Sequence, residues 1–401
     1  MTDSVPSANA PRTLAGKTAL ITGGTGGIGL HTARGLAALG ASVIITGRDP
    51  ERGADAAAQI RAAAGHDQVS FIQADHLTVG TNQDLARQLC GSAEGLDVLV
   101  NNVGRVFPAR QETADGYEVT LALCFAGPAA LTDGLLPLLT RRPGARVVNM
   151  SSSAYKMWHH GPFDDIQSQR GYVGIQAHAH AKLLNLICTF ALAGQLRPQG
   201  VAVNATNPGA AWTPGTAQLT PEAIPAWKYV WPAVRYFQRR GSPSKAAQRP
   251  LWLAASTDAE GLTGIYLEKR TQQRPKAAAG PDNQRRVVEL AQALVNQAPT
   301  ARSLRDARPP PTSDESPASG QASGAAMTGR AIIVDRLRKR YGSSIATRLP
   351  RQCPKGHART LLAAGGTGGL GVTPGRGRPG RPRVGWLPPR RRWRPGGRAG
   401  C

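Results

Sequence analysis

Residues Thr22 to Gly29 read Thr-Gly-Gly-Thr-Gly-Gly-Ile-Gly and lie between two segments of different character. The preceding run, Thr18 to Ile21, is short and apolar and suits a buried strand, whereas residues 31–39 repeat apolar side chains at helical spacing. Glycines let the backbone turn sharply and approach a pyrophosphate, whose charge the first amides of the helix would hold. The order strand, glycine turn, helix therefore favours a dinucleotide site over ordinary turn sequence.

The same alternation of strands and helices continues along the chain. Further buried strands are predicted at 41–48, 69–73, 96–100, 145–150, 201–205 and 263–267. A helix is predicted at 50–64, and the apolar run Leu183–Ala193 predicts a buried helix that is too short to span a bilayer. This alternation predicts an α/β fold with a doubly wound parallel sheet of about seven strands, in which ligands bind at the carboxyl ends of the strands.

The basic charge of the chain is concentrated near its end. Of the net charge of +24, residues 1–300 contribute +7, from 28 Lys and Arg against 21 Asp and Glu, and residues 301–401 contribute +17, from 21 against 4. The overall basicity therefore says little about the ligand of the front part. The alternation of strands and helices predicts one doubly wound Rossmann domain at 14–300. Outside it we predict a flexible N-terminus at 1–13, a linker at 301–326 and a largely disordered Arg/Gly/Pro-rich tail at 327–401.

The tail admits three interpretations. Residues 327–342 resemble the first strand of an ABC-transporter ATPase subunit, but no glycine-rich loop with a phosphate-binding lysine follows. Residues 376–383 alternate Arg with Gly and Pro and resemble a minor-groove AT-hook. The same bias is typical of GC-rich DNA translated through a lost stop or shifted frame. We favour this last interpretation and expect no specific nucleic-acid partner.

Cysteines and histidines give no sign of a metal site. The five cysteines include no Cys-x-x-Cys pair, and no His lies at zinc-like spacing, so we predict no metal and reduced thiols. The segment Met1 to Lys17 is polar and lacks an apolar core, so no signal peptide is expected. These features predict a cytoplasmic protein.

Polar residues follow the predicted strands. Arg48 and Asp75 come after the second and third strands, and Asn101-Asn102-Val103-Gly104 after the fourth. Ser151-Ser152-Ser153 follows the fifth strand, and Asn207-Pro208-Gly209 the sixth. Because these strand ends meet at one edge of a doubly wound sheet, we expect the residues to border one cleft.

Taken in order, these motifs resemble the short-chain dehydrogenase/reductase family and, within it, its retinol-dehydrogenase-like branch. The resemblance covers about residues 14–297 and rests on Thr22-Gly-x-x-x-Gly27-x-Gly29, Asn101-Asn-x-Gly104, Arg146-Val-Val-Asn-Met-Ser-Ser152, Lys182-Leu-x-Asn185 and Asn207-Pro-Gly209. It implies hydride transfer between a nicotinamide and an alcohol or carbonyl. It also implies cofactor contacts from Gly23, Thr25, Gly27, Ile28, Gly29, Arg48, Asp75, Asn101, Gly104, Lys182, Pro208, Gly209 and Thr213.

The end of the second strand bears on the choice of cofactor. An acidic residue there binds the ribose 2′-hydroxyl of NAD, whereas an arginine can pair with the 2′-phosphate of NADP. The chain has Arg48, which favours NADP over NAD, although Asp49 partly offsets its charge and Arg48 could be a solvated surface residue. The resemblance implies that Asp75 contacts adenine; the alternative is a helix N-cap.

The implied catalytic set is incomplete. Ser152 and Lys182 match the family serine and lysine, but His178 stands four residues before Lys182, where the family has a tyrosine. An imidazole has a reference pKa of about 6.5 and can act as a general acid or base. Its ring is shorter than a phenol and would need a bridging water, and the Lys182 ammonium disfavours the imidazolium. We therefore name Ser152, His178 and Lys182 as the candidate catalytic residues.

A second position departs from the family pattern. Cys124 replaces an asparagine that holds a relay water in family members, and we interpret it as a small buried hydrophobe. Tyr155 and Tyr172 lack the spacing to Lys182 needed to replace the tyrosine. The chain is thus either an oxidoreductase or a cofactor-binding pseudoenzyme with impaired catalysis. The remaining histidines of this region, His159, His160 and His180, are interpreted as surface residues.

Residues 213–240 occupy the place of the family's variable substrate lid and hold much of the aromatic content of the chain. Such a lid suits a small hydrophobic alcohol, aldehyde or ketone. An oligomer interface is the second interpretation, and peripheral membrane contact through Arg235, Arg239 and Arg240 the third. The resemblance also implies a homo-oligomer that pairs helices near 116–140 and 170–195.

Overall fold

Strand segments lie in the order that the apolar runs predict. The computed structural model describes residues 13–224, 231–269 and 271–297. Its strands are β1 (Thr18–Ile21), β2 (Ser42–Gly47), β3 (Val69–Gln73), β4 (Val98–Asn101), β5 (Arg146–Met150), β6 (Ala202–Asn207), β7 (Tyr266–Glu268) and β8 (Thr271–Gln273). Our predictions for the N-terminal segment to residue 12, the linker and the basic tail concern residues outside the described ranges.

The predicted doubly wound sheet is confirmed. The eight strands lie in the order β3-β2-β1-β4-β5-β6-β7-β8, and all neighbours are parallel except the antiparallel pair β7 and β8. Strand β8 was not predicted, because its sequence Thr-Gln-Gln contains no apolar residue. Such a polar sequence suits its position at the edge of the sheet. β7 also begins later than expected, since Gly264 adopts a φ of 72°, which is not a strand conformation.

Helices cover both faces of the sheet. They are α1 (Gly27–Ala38), α2 (Pro50–Ala64), α3 (Val79–Ser92), α4 (Val119–Leu121), α5 (Gly127–Leu139), α6 (Gly174–Leu196), α7 (Pro214–Ala217), α8 (Trp231–Arg239), α9 (Pro243–Ala255), α10 (Lys276–Ala279) and α11 (Pro281–Gln297). A π-helical segment, Ala122–Ala126, joins α4 to α5. Apolar residues of α1, α2 and α9 form the core on one face, and those of α6 and α11 belong to the core on the other.

The segment Val119–Leu139 is long and apolar enough to cross a membrane by length and composition alone. In the fold, however, 78% of its most apolar window is buried against other parts of the chain. Core packing therefore accounts for its hydrophobicity.

Helix α11 covers the helices that were expected to pair with a second copy. Val287, Ala291 and Leu294 of α11 share a core with apolar residues of α6. The Tyr117 hydroxyl also donates a hydrogen bond to the Leu294 carbonyl at 2.7 Å. Homo-oligomerisation stays a prediction, and the surface under α11 is not available for it.

Close packing of the first turn of α1 on the end of β1 requires glycine at position 29. A Cβ built on Gly29 would lie 2.4 Å from the Gly23 carbonyl oxygen and 2.6 Å from the Asn102 side-chain nitrogen. Both contacts are far inside van der Waals distance, and the first is with backbone, which cannot move aside without unwinding the glycine turn.

We expect Gly29→Ala to lower the free energy of unfolding by about 3 kcal/mol, because the added methyl overpacks this contact. Urea denaturation measures the change. The matched control is Gly91→Ala, where the new Cβ would meet nothing within 4 Å in helix α3. That control should be neutral or slightly stabilising. Equal effects of the two substitutions would contradict the close approach at residue 29.

Candidate functional site

The shape of the glycine turn is stabilised by hydrogen bonds from one side chain, that of Asn102, which directly follows strand β4. Asn102 donates its amide to the Thr22 carbonyl at 2.8 Å and to the Gly23 carbonyl at 3.3 Å. Gly23 and Gly27 have φ angles of 65° and 56°, in the left-handed region that favours glycine. The turn is therefore stabilised by the left-handed conformations of two glycines and by the hydrogen bonds of Asn102, which an apolar side chain could not form.

A cavity of about 530 Å³ lies over this turn. Gly26 caps α1 without any side-chain hydrogen bond, so the amides of the first helical turn are left for an anion. Of the predicted cofactor residues, the cavity is lined by Gly23, Thr25, Gly27, Ile28, Arg48, Gly104 and Thr213. This cradle of glycine backbone and amides fits the diphosphate of a dinucleotide.

A second arginine, which the sequence analysis missed, lines the same cavity. Arg52 lies in the first turn of α2, and one of its terminal nitrogens is 3.6 Å from the Cβ position of Gly26. Asp49 caps α2 by accepting a hydrogen bond from the Arg52 amide at 3.1 Å. The signal was present, since Arg48 and Arg52 are four residues apart at the start of a predicted helix.

Asp75 lies beyond Arg48, beside an adjoining cavity of about 420 Å³ that both residues line. Its carboxylate accepts a hydrogen bond from the Leu77 amide at 3.2 Å. Helix α3 is capped instead by Thr78, which accepts from the Thr81 amide at 3.1 Å, so the alternative of Asp75 as N-cap is wrong. Asp75 is therefore left to border the cavity next to Arg48.

Behind the glycine turn, three buried polar side chains are hydrogen-bonded in series. The Gly23 amide donates to the Thr46 hydroxyl at 3.3 Å, and that hydroxyl lies 2.7 Å from His76 Nε2. His76 Nδ1 lies 2.7 Å from the Asn82 side-chain oxygen. Burial lowers the pKa of His76, so a neutral ring that donates from Nδ1 to Asn82 and accepts from Thr46 satisfies every partner. These hydrogen bonds hold the Thr46 hydroxyl in place beside the Gly23 amide.

Ser152, His178 and Lys182 line a second cavity of about 210 Å³, which adjoins the first. Pro208 and Gly209 also line it. The Lys182 ammonium is buried and donates to the Met150 carbonyl at 2.7 Å. The Ser152 hydroxyl accepts a hydrogen bond from the Ala154 amide at 3.1 Å, and its own proton can still be donated to another acceptor.

His178 is a neutral residue in this cavity. Burial, followed by the Lys182 charge, lowers its pKa to about 3, although a hydrogen bond to the backbone of Arg105 opposes the shift. Its Nδ1 lies 3.9 Å from Cys124 Sγ. An imidazole with this pKa carries no transferable extra proton near neutral pH.

The π-helical segment places Cys124 beside Lys182, a candidate catalytic residue. A Cβ on Gly104 would lie 3.0 Å from Lys182 Nζ and 3.6 Å from Cys124 Sγ, so the three groups meet. Asn185 donates its amide to the Cys124 carbonyl at 3.2 Å. The π-helical segment thus places a fully buried thiol where the family resemblance implies an asparagine amide.

Neither candidate replacement tyrosine is among the residues that line the cavity of Ser152 and Lys182. The Tyr155 ring packs edge-on against Tyr266, with centroids 5.7 Å apart. The Tyr172 hydroxyl lies between Thr120, Phe107 and Glu118, and burial raises its pKa to about 12. Both phenols are thus committed to packing elsewhere.

Asn101, a predicted cofactor residue, does not line the cleft. Its side chain turns inward, where its amide donates to Thr132 and Asn149 at 3.0 and 2.8 Å, and its neighbour Asn102 lines the cleft instead.

His180, interpreted from the sequence as a surface residue, is buried, so that interpretation is wrong. Its ring stacks on Trp158 at 4.0 Å and hydrogen-bonds the Pro162 carbonyl at 2.8 Å, since the preceding loop folds back over α6.

Asn102, Ser151 and Asn207, which were expected at the strand-end cleft, line it, although no cofactor or catalytic role was predicted for them. Arg105 was not predicted at the cleft; it directly follows Gly104, and only the direction of its side chain brings it there. Within the described ranges, no three or more His, Cys, Asp or Glu side chains gather where they could hold a metal ion.

Sheet, glycine turn and strand-end cleft define a doubly wound α/β protein built to hold a dinucleotide. The sequence model of the short chain dehydrogenase family matches residues 17–223. The chain therefore belongs to the short-chain dehydrogenase family, and its relatives include retinol dehydrogenases.

Human retinol dehydrogenase 12 is 34% identical over 268 residues, which are 66% of this chain and 82% of that protein. Human dehydrogenase/reductase SDR family member 13 is 31% identical over 317 residues, 76% of this chain and 80% of that protein. Among solved structures, the Pseudomonas aeruginosa RhlG/NADP active-site complex has a TM-score of 0.50 and 30% identity, covering 65% of this chain and 97% of that one.

The lowered pKa of His178 predicts a pH-dependent stability. The unfolded ring binds a proton near pH 6.5 and the folded ring only near about pH 3, so the unfolded state holds more protons in between and stability rises with pH there. In urea denaturation between about pH 4 and pH 6, the stability of the wild type relative to His178→Tyr should rise by up to about 1.4 kcal/mol per pH unit. The control is His159→Gln at an exposed histidine. A pH-independent difference at residue 178 would contradict the lowered pKa of its ring.

Proposed function

We propose that the protein is an NADP-preferring oxidoreductase that interconverts a hydrophobic alcohol and the corresponding aldehyde or ketone. The observation that carries this proposal is the continuity of the two cavities. Ile28, Asn102, Gly104 and Thr213 line both the cavity over the glycine turn and the cavity of Ser152 and Lys182. A dinucleotide seated on the turn would therefore extend to the candidate catalytic side chains.

Each part of the cofactor has matching residues. The glycine turn and the uncapped start of α1 suit the diphosphate, and Arg48 with Arg52 suits a ribose 2′-phosphate. Lys182 and the Asn207-Pro208-Gly209 turn border the nicotinamide end. When bound, the nicotinamide supplies the hydride for carbonyl reduction or accepts it in alcohol oxidation. The NADP complex of the Pseudomonas relative supports the choice of cofactor.

The residues of the chain must position the substrate oxygen and manage its proton. Ser152 has a hydroxyl proton free for a hydrogen bond to that oxygen. The Lys182 ammonium provides a positive charge that favours an alkoxide over a neutral carbonyl. His178 is neutral and engaged with the backbone of Arg105, so the proton would arrive through water.

The same geometry supports a second candidate, a cofactor-binding pseudoenzyme. A neutral imidazole and a buried thiol occupy the two positions where the family has an acid and a relay amide. General acid and base catalysis contributes about 10² to 10⁴ in rate, so its loss would leave binding intact and turnover slow.

The lid segment supports a hydrophobic substrate more than a membrane contact. Thr216 and Leu219 line the cavity of Ser152. Arg235 donates to the carbonyls of Thr216 and Ala217 at 3.3 and 3.2 Å, and its guanidinium lies 4.6 Å from the Trp212 ring centroid. Arg239 lies 5.5 Å from the same ring. These contacts hold α8 to the preceding part of the lid. A cytoplasmic location is part of the proposal.

Removing both arginines near the expected 2′-phosphate should weaken the binding of NADPH more than that of NADH. We expect Arg48→Ala combined with Arg52→Ala to weaken NADPH binding by at least about tenfold and NADH binding by less than about twofold, because only NADPH carries the 2′-phosphate. Isothermal titration calorimetry measures both Kd values. Arg141→Ala, at an exposed residue on the loop before β5, is the control. Equal losses for both cofactors would refute the assignment.

Restoring the family residues should raise turnover if the active site is only impaired. We expect His178→Tyr with Cys124→Asn to increase kcat/KM for NADPH-dependent reduction of a hydrophobic aldehyde by about 100-fold, because the phenol supplies the missing acid. His159→Tyr adds a phenol at an exposed position as a control. Unchanged rates with intact NADPH binding would instead favour the pseudoenzyme.

A further inference from the structure

Arg105 introduces a charge that the function proposed above does not use. It follows Gly104 directly at the end of the Asn101-Asn102-Val103-Gly104 motif and lines the same cavity as Ser152 and Lys182. Among the described residues, those lining this cavity include two cations, Arg105 and Lys182, and no Asp or Glu. The cavity that receives the substrate therefore has a net positive charge.

The guanidinium of Arg105 is poorly satisfied within the fold. It lies 4.9 Å from the Phe107 ring centroid, and its Nε is buried with no hydrogen-bond partner in the part of the chain that the structure describes. Within those ranges it forms no ion pair either. Arg110 of the same loop, by contrast, pairs with Glu112 at 2.8 Å and donates to the Gln167 carbonyl at 3.0 Å. A buried donor without an acceptor is unfavourable, and a bound anion that accepts from it would remove this cost.

A second unsatisfied donor lies on the wall of the same cavity. The Ser151 hydroxyl is buried, the residue being only 4% exposed, and finds no partner among the described residues. Met150 next to it uses its carbonyl to hold the Lys182 ammonium. Arg105, Ser151 and Ser152 are all among the residues that line the small cavity, and each carries a hydrogen-bond donor, which suits a group with several acceptor oxygens.

We propose that Arg105 binds a carboxylate on the substrate, so that the protein acts on carbonyl compounds that carry an acid group near the reacting carbon. This inference rests on the proposed oxidoreductase function and specifies its substrate class. A planar guanidinium pairs with a carboxylate through two parallel hydrogen bonds, which fixes orientation as well as adding affinity. Arg105 lines the same cavity as Ser152 and Lys182, so an acid held by Arg105 would leave the neighbouring carbonyl oxygen in the cavity of those two side chains.

The competing partner for Arg105 is a phosphate of the cofactor. The glycine turn, the start of α1 and the pair Arg48 and Arg52 already line the other cavity, in which Arg105 takes no part. The diphosphate therefore has its own donors. The two assignments differ in which ligand loses affinity when Arg105 is changed.

The test uses the full-length protein and two probes of nearly equal shape, phenylglyoxylate and its neutral amide. Binding of each is measured by calorimetry with and without saturating NADPH, at low and high salt. We expect phenylglyoxylate to bind at least about tenfold more tightly than the amide, with the advantage shrinking as salt screens the charge. Arg105→Gln should abolish the advantage, Arg105→Lys should retain part of it, and Arg110→Gln should leave it unchanged.

Two outcomes would overturn the proposal. Equal affinity for acid and amide in the wild type would show that the cavity does not select an anion. A loss of NADPH affinity of about tenfold in Arg105→Gln, with acid preference retained, would assign the arginine to the cofactor. Failure of the wild type to bind NADPH would instead refute the oxidoreductase function, and the comparison of acid and amide without cofactor would still decide the role of Arg105.

Discussion

The contact of the first turn of α1 with the carbonyl end of β1 is the constraint on which the rest of the site depends. Because Gly29 has no side chain, the helix can begin directly above the Gly23 carbonyl, and Asn102 can reach across from β4 to clasp the same carbonyls. Strand β1 lies between β2 and β4 at the centre of the sheet. The turn therefore fixes the positions of Arg48 on one side and of the Ser152 cavity on the other.

The sequence predicted the fold because its signals were local. Apolar runs of strand length, separated by helical spacing and by a glycine turn, were enough to place seven strands and helix α2. Strand β8 was missed because a polar edge strand has no apolar periodicity. His180 was misplaced because the loop residues that contact its ring, Pro162 and Trp158, lie 18 or more residues earlier in the chain. Such tertiary contacts leave no trace in spacing.

The site was predictable to the level of motifs and less so to the level of side-chain direction. Ser152, His178 and Lys182 line one cavity, as their motifs suggested. Asn101 and Asn102, however, are adjacent in a strand end and must point to opposite sides, so a motif alone could not say which one faces the cleft. The pKa of His178 likewise depends on burial and on the Lys182 charge, and both are products of the fold. A titratable side chain recognised in the sequence is therefore only a candidate until its surroundings are known.

Helix α11 is synthesised about a hundred residues after α6, the helix that it covers, so α6 lacks this cover for part of synthesis. The side chains of Gln83 and Tyr117 hydrogen-bond to carbonyls of Val295 and Leu294, 212 and 177 residues further along the chain. As the protein leaves the ribosome, the apolar surface of α6 emerges well before the helix that covers it. At a translation rate of about 5–20 residues per second, that surface waits on the order of ten seconds for its cover. During this interval the apolar side chains of α6 that later contact α11 stay exposed to solvent.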